Sequence, residues 1–442
     1  MEHWYYDQQQ IDGWDHGIGA QRVRTATAGN GAAPLELITA WGLQPTDFTH
    51  PWNTADPWVR GSGPWRPNRD QCRQGGSSMS EVITAVYEIS AEDPAGRAAQ
   101  VAVEQSHELP TELAPGNAVR DSLAHVSSVL QRPGLAALAT VDYPVDLAGA
   151  ELGQLLVLLL GNVSLQDGVR LVDVALPARL AAPLPGPRLG IAGVRALVGE
   201  PDRALLATAL KPVGMTPQQL AGLAYDIAAG GLHILKEDQG LANQTWAPFA
   251  ERVPRVAEAV HRANEDTGGR SVYLPCVNGS AVGFSEQVRL ARREGAHGVM
   301  VLPGVAGFGA LARAAEVFDG GMVLSHPSFL GGFTASPSHG IAPHVLFGTL
   351  LRLAGADATI FPSFGGRFSL SREQCLAIAE AARRPLPGIA PTLPAPGGGM
   401  PIDRVPELLD AYGPDTVFLI GADLQQGGNP RRAAERLVAA NR

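Results

Sequence analysis

From residue 79 onward, apolar and polar positions follow two alternating rhythms. SEVITAVYEIS (80–90) switches with a period of two, as a half-buried strand does, and AGRAAQVAVEQS (95–106) repeats its apolar residues at helical spacing. Together these predict a small α+β domain over 79–190 that ends in the Pro-rich stretch APLPGPRLG (182–190). Beyond it, short β-rich apolar runs recur at ALLATAL (204–210), LHILKED (232–238), SVYLPCV (271–277), GVMVLPG (298–304), GMVLSHP (321–327), ATIFPSF (358–364), GIAPTLPAP (388–396) and TVFLIGAD (416–423). Amphipathic helices such as TPQQLAGLAYDIAAGG, SEQVRLARREG and PIDRVPELLDAYG separate them. Eight strands alternating with helices predict an α/β fold whose 191–442 portion is a parallel (β/α)8 TIM barrel. A doubly wound open sheet is the alternative. No G-x-G-x-x-G follows the first run, so a dinucleotide site is unsupported.

Residues 1–78 follow neither rhythm. They carry six of the seven tryptophans, Trp4, Trp14, Trp41, Trp52, Trp58 and Trp65, among many Gly, Pro and Asp. The change of pattern makes Met79 the expected natural start and 1–78 an upstream or poorly ordered extension; a Trp-rich partner-binding arm is the alternative. No secretory signal pattern is present. The longest apolar run, around Leu155 to Leu160, falls far short of the ~20 residues a membrane span requires. With 45% hydrophobic and 17% charged residues the 442-residue chain can bury a large core. Its net charge of −9 speaks against nucleic acid or an anionic membrane as partner, because both select clustered positive charge. Cys72, Cys276 and Cys375 lack C-x-x-C spacing, so neither a disulfide framework nor a zinc site is implied, and a cytoplasmic setting is expected. A small-molecule ligand is the class that remains.

Of 34 basic residues, 32 are Arg and only two are Lys, Lys211 and Lys236. A GC-rich genome alone could give that bias. Yet an amine can lose its proton and act as a base, a nucleophile or a carbamate precursor, whereas a guanidinium stays charged. Both lysines close strand runs, Lys211 the first and Lys236 the second, and barrel active sites lie at the carboxyl ends of strands. Period-two alternation puts Lys236 and Asp238 on one face and Glu237 on the other. His326 closes the fifth run at the same rim and is a general acid/base candidate, set against the plainer reading of a structural His. His339 and His344 are read as solvent or capping contacts. The sixth run leads to SFGGRF, whose glycine pair can close a loop and bring Arg367 to an anion. Gly397, Gly398 and Gly399 follow the seventh run, and Gly421 and Ala422 the eighth. Small residues there expose N–H groups where such barrels bind phosphate, although plain tight turns would use the same glycines.

The segments LKPVGM, GGLHILKEDQG, HPSFLGGFTASPSHGIAP, LLRLAGAD, PSFGGR, PAPGGG and FLIGAD resemble, in order, the large subunit of ribulose-bisphosphate carboxylase, specifically its non-carboxylating form IV relatives, the RuBisCO-like proteins. The resemblance runs from Met79 to the end and implies a barrel preceded by a smaller α+β, ferredoxin-like domain. By that resemblance, Lys211 handles the enediol proton, Lys236 becomes a carbamate that binds Mg2+, and Asp238 and Gln239 complete the metal ligands. His326 is the strand-five active-site histidine. Gly397, Gly398, Gly399, Gly421 and Ala422 bind phosphate, with Arg367 on substrate. Glu104 and Asn162 lie where the amino-terminal domain reaches the neighbouring subunit's site, which implies a homodimer or an oligomer of dimers, without a small subunit.

The departures narrow the activity. Val213 stands for the second lysine of the carboxylases and Gln239 for a carboxylate ligand. Pro327 and Leu330 replace an arginine and a histidine of the second phosphate pocket, Arg367 replaces the mobile-loop lysine, and Ile360 replaces the histidine before that loop. Carbon fixation on ribulose bisphosphate is not expected. The expected reaction is Mg2+-assisted enolisation, then isomerisation, decarboxylation or transcarboxylation of a monophosphorylated sugar or oxo-sugar acid such as an oxo-isoapionate phosphate. The alternatives are a methionine-salvage enolase/isomerase acting on a methylthio-pentulose phosphate, and a non-catalytic regulator that binds a sugar phosphate.

Overall fold

The computed structural model describes residues 81–109, 113, 116–425 and 428–441. The expectation for residues 1–78 lies outside the described residues. Among those described, no helix is long and apolar enough to cross a membrane.

The period-two pattern builds a sheet. Its elements are β1 (Val82–Ile89), α1 (Pro94–Ser106), β2 (His125–Leu130), β3 (Ala137–Pro144), α2 (Leu152–Leu160) and β4 (Val169–Ala175). The strands lie in the order β4-β1-β3-β2 with each neighbouring pair antiparallel, a β-α-β-β-α-β arrangement. Along β3 the buried residues Ala137, Ala139, Val141 and Tyr143 alternate with half-buried ones, which fixes the face that meets the helices. Helix α1 starts where the Asp93 carboxylate accepts the Gly96 N–H at 3.0 Å, with Pro94 in its first turn. It then buries Ala98, Val101 and Ala102.

The eight later runs all form strands. In chain order the elements are α3 (Gly190–Val198), β5 (Leu205–Leu210), α4 (Pro217–Ala229), β6 (Ile234–Glu237), α5 (Phe249–Thr267), β7 (Val272–Leu274), β8 (Cys276–Val277), α6 (Ala281–Arg293), β9 (Gly298–Val301), α7 (Gly309–Phe318) and β10 (Met322–Ser325). There follow β11 (Gly340–Ile341), β12 (Ala358–Pro362), α8 (Arg372–Arg383), β13 (Leu393–Gly397), α9 (Val405–Tyr412), β14 (Val417–Leu419) and α10 (Pro430–Ala440). Pro275, with no N–H to give a neighbour, splits the third run into β7 and β8. Pairing is parallel throughout, β14-β5-β6-β7 in one sheet and β8-β9-β10-β12-β13 in the other, and Gly397 of β13 lies against Leu419 of β14. Strands such as Leu205–Leu210 are buried along their whole length, as parallel strands between a core and covering helices must be. Their inward rows, with Leu205, Ala207, Ile234, Leu274, Met300, Leu324, Ile360 and Ala395, form one apolar core that α3 closes from beneath with Val194 and Val198. The outward rows pack with the helices in a second, larger core.

One strand crosses the boundary at 190. Strand β11 pairs in parallel with β4, so the amino-terminal sheet takes its fifth strand from the segment after β10. Next to it His344 Nε2 lies 2.8 Å from the Val172 carbonyl, and burial pushes this imidazole's pKa down. His344 therefore joins the two regions instead of facing solvent or capping a helix.

Candidate active site

Four inward rows end in polar groups. Leu205, Ala207 and Ala209 lead to Lys211; Ile234 leads to Lys236 and Asp238; Met322 and Leu324 lead to His326; Leu274 leads to Cys276 and Asn278. Period-two geometry carries these groups off the top of the apolar core onto one rim. Strand parity alone thus puts the lysines, Asp238 and His326 on one rim.

Lys236 is 1% exposed. Burial lowers its pKa from 10.5 to about 8, opposed by the carboxylates of Asp238 and Glu237 and assisted by the charge of Lys211. A tenth or so of such an amine is neutral near pH 7, enough to make it a base or a carbamate precursor. Glu237, on the opposite face, is fully buried and fully satisfied. It accepts from Arg252 Nε at 2.6 Å and Nη2 at 3.1 Å, from the Tyr273 hydroxyl at 2.6 Å and from the Cys276 N–H at 2.9 Å. Its charge is consumed in holding β6, α5 and β7–β8 together, which leaves the chemistry to the inward face.

Lys211 Nζ stands 3.2 Å from Asp238 Oδ2, and Asp238 Oδ1 accepts the Gly240 N–H at 2.8 Å. Asp238 is therefore oriented by a turn on one oxygen and by a cation on the other. Gln239, half-buried, follows in that turn, and its carbonyl lies 3.5 Å from Asn278 Nδ2. His326 continues the β10–β9 ladder by donating its N–H to the Val301 carbonyl at 2.9 Å. Its Nδ1 receives the Ser328 N–H at 3.2 Å with the Ser328 hydroxyl 3.0 Å away, which puts the ring proton on Nε2. Burial, then the charges of Lys236 and Lys211, hold its pKa well below the usual imidazole value. His326 is a neutral donor at physiological pH.

The glycine loops come together as well. Gly398 and Gly399 have φ of 98° and 93°, a region that favours glycine. The Arg367 N–H donates to the Gly398 carbonyl at 3.0 Å, and a Cβ on Gly366 would fall 2.5 Å from that carbonyl oxygen. The exposed Arg367 guanidinium sits 5.2 Å from the Phe368 ring centroid. Asp423 accepts the Ile402 N–H at 2.8 Å, which ties the segment after Gly399 to the turn that begins at Ala422, next to Gly421. Glu104 and Asn162 are not joined to this rim by any hydrogen bond among the described residues. Asn162 Nδ2 donates instead to Glu104 and to Glu108, at 3.0 Å each, on the surface of the amino-terminal sheet region.

No group of three or more His, Cys, Asp or Glu side chains among the described residues could hold a metal ion. A hard cation at this rim would need oxygens of other kinds, from a carbamylated Lys236 and from amides. One such oxygen is present: Asn278 Oδ1 is buried and has no hydrogen-bond partner among the described residues.

A family model for the ribulose bisphosphate carboxylase large chain, catalytic domain, matches residues 190–428. Ribulose bisphosphate carboxylase-like protein 1 of Rhodopseudomonas palustris is 44% identical over 353 residues, 79% of this chain and 94% of that protein. The chain belongs to the RuBisCO large-chain family, among its RuBisCO-like members. The 5-methylthioribulose-1-phosphate isomerase of Rhodospirillum rubrum is 42% identical over 355 residues, 78% of this chain and 92% of that protein. The crystal structure of a Rubisco-like protein from Rhodopseudomonas palustris superposes with a TM-score of 0.74 at 38% identity, covering 82% of this chain and 97% of that one.

Within this RuBisCO-like site, Val213 is 42% exposed and lies beside Gly240, so an apolar side chain borders the turn after Asp238. Sequence reasoning missed Cys276 and Asn278. Their signal was present: both fall on the inward parity of the third run, and Asn278 is the first polar residue after it.

Proposed function

We propose that this RuBisCO-like protein enolises and isomerises a monophosphorylated ketose of the methylthio-pentulose class. The observation that carries the reading is the meeting at one rim of a buried, partly neutral Lys236 and the Lys211–Asp238 pair at 3.2 Å. The Rhodospirillum rubrum relative favours the methylthio-pentulose class over an oxo-sugar acid, and Pro327 is apolar where a second phosphate would need a cation.

In this reading the N–H groups around Gly397, Gly398, Gly399, Gly421 and Ala422 bind the phosphate, with Arg367 over it. Lys211 or Lys236 removes the proton next to the substrate carbonyl. The bonding pair becomes the C=C bond of the enolate, and the carbonyl oxygen takes the charge. His326, through Nε2–H, donates a hydrogen bond to that oxygen. The hydroxyl proton on the carbon that lost its hydrogen passes to the enolate oxygen, the C=C pair takes the returning proton at the former carbonyl carbon, and C=O re-forms on the adjacent carbon to complete the isomerisation. Mg2+, held by a carbamylated Lys236, Asp238 and Gln239, would supply further stabilisation of the enolate when bound. The same reading takes the parallel strands as a closed (β/α)8 barrel over 191–442, with 79–190 as a separate ferredoxin-like domain. It takes the working unit as a cytoplasmic homodimer in which Glu104 and Asn162 serve the neighbour's site.

A substrate panel tests this. Turnover of 5-methylthioribulose 1-phosphate, with none of ribulose bisphosphate, is the expected result. Turnover confined to an oxo-sugar-acid phosphate would replace the substrate class, and tight binding of all phosphates without turnover would favour a regulator.

A further inference from the structure

Asn278 has no part in the chemistry above, yet its surroundings are specific. Its Nδ2 lies 3.2 Å from Cys276 Sγ and 3.5 Å from the Gln239 carbonyl. The reverse amide orientation would press two carbonyl oxygens together, so the NH2 end must face Gln239 and Oδ1 must take the other prong. There Oδ1 is excluded from solvent without a partner among the described residues. A buried acceptor left unmade is disfavoured and marks either strain or a missing ligand. Other side-chain oxygens on these strands share that condition, namely Thr208 Oγ1, Ser325 Oγ and Thr359 Oγ1. Those residues alternate with Leu206, Val323 and Phe361 and so belong to the outward rows, under the helices. Asn278 alternates with Cys276 and Leu274 on the inward row and borders the turn that follows Asp238.

We propose that the side-chain carbonyl of Asn278 is a neutral oxygen donor to a divalent cation at the Lys236–Asp238 rim. This rests on the reading of that rim as a cation site. Mg2+ takes about six oxygen ligands in near-octahedral geometry. This chain offers Asp238 and a carbamylated Lys236 as anions, and Gln239 brings an amide in the same turn. Asn278 adds an oxygen that is already desolvated and already oriented by the contacts of its own NH2 group, so little reorganisation opposes binding.

Binding of Mn2+ to the full chain, followed by the loss of the free-ion EPR signal in bicarbonate buffer without substrate, tests the proposal independently of turnover. Asn278→Ala should weaken Mn2+ binding roughly 10- to 100-fold, the usual effect of losing such a partner. Asn278→Asp, which keeps an oxygen and adds charge, should bind at least as tightly as the unaltered protein. Wild-type affinity in Asn278→Ala, with Lys236→Met abolishing binding, would overturn the role of Asn278 and leave the cation site standing. An Asn278→Asp protein that binds as weakly as Asn278→Ala would also overturn it and reduce Asn278 to a brace for Gln239. No binding by the unaltered protein would overturn the cation site and this proposal together. Should Asn278→Ala not fold, the Asp variant decides: tighter binding supports the assignment and weaker binding overturns it.

Discussion

Replacing Lys236 by Met should stabilise the fold while ending turnover, and the gain should depend on pH. Moving an amine from a pKa of 10.5 to about 8 corresponds to ~3 kcal/mol of preference for the neutral form. Because the side chain is only 1% exposed, solvent screening removes little of that. Met has similar volume and no charge, so packing changes little. Asp238 keeps Lys211 at 3.2 Å and is not left as an unpaired carboxylate. The sign follows from proton counting. Between pH 8 and 10.5 the unfolded chain binds more protons at this site than the folded one, so the unaltered protein gains stability with pH relative to the variant. The variant's advantage should therefore be full below pH 8, shrink through that window and vanish above it. Urea unfolding of both proteins at pH 7, 9 and 10.5, at one protein concentration and with chelator and CO2-free buffer, measures the difference while other titrations cancel. A variant less stable at pH 7, or a gain that does not change with pH, would refute the reasoning.

Two other substitutions separate structure from function. Arg252→Met removes the guanidinium that holds Glu237 at 2.6 Å and strands a fully buried carboxylate, so unfolding free energy should fall by about 3–5 kcal/mol, read by denaturant titration. Gly366→Ala drives a Cβ to 2.5 Å from the Gly398 carbonyl oxygen and forces the two loops apart. Steady-state kinetics should show KM rising about tenfold with the melting temperature nearly unchanged, since one lost phosphate hydrogen bond is worth about 1.5 kcal/mol.

Much of the rim was legible in the sequence because a parallel strand fixes which residues share a face. Counting by two from Ile234 placed Lys236 and Asp238 inward and Glu237 outward, and the contacts of Glu237 with Arg252 and Tyr273 agree. The eight apolar runs were equally legible, since burial on both faces leaves an uninterrupted hydrophobic signature. What escaped depends on contacts between distant segments. Arg252 lies on a helix and pairs across 15 residues, and no local pattern marks it as the partner of Glu237. His344 looked like a surface residue until β11 joined β4 and brought it to Val172. Asn278 was hidden for a different reason: Pro275 interrupts the third run, and the residue that closes it sits after a break in the ladder.

The central claim is that this rim removes and returns a proton next to a carbonyl. The most direct measurement is deuterium uptake from D2O into 5-methylthioribulose 1-phosphate, followed by NMR in the presence of Mg2+ and bicarbonate. The account predicts uptake at the carbon next to the carbonyl together with isomerised product, both lost in Lys236→Met. Substrate that binds but keeps all its carbon-bound protium, or uptake undiminished in Lys236→Met, would contradict it.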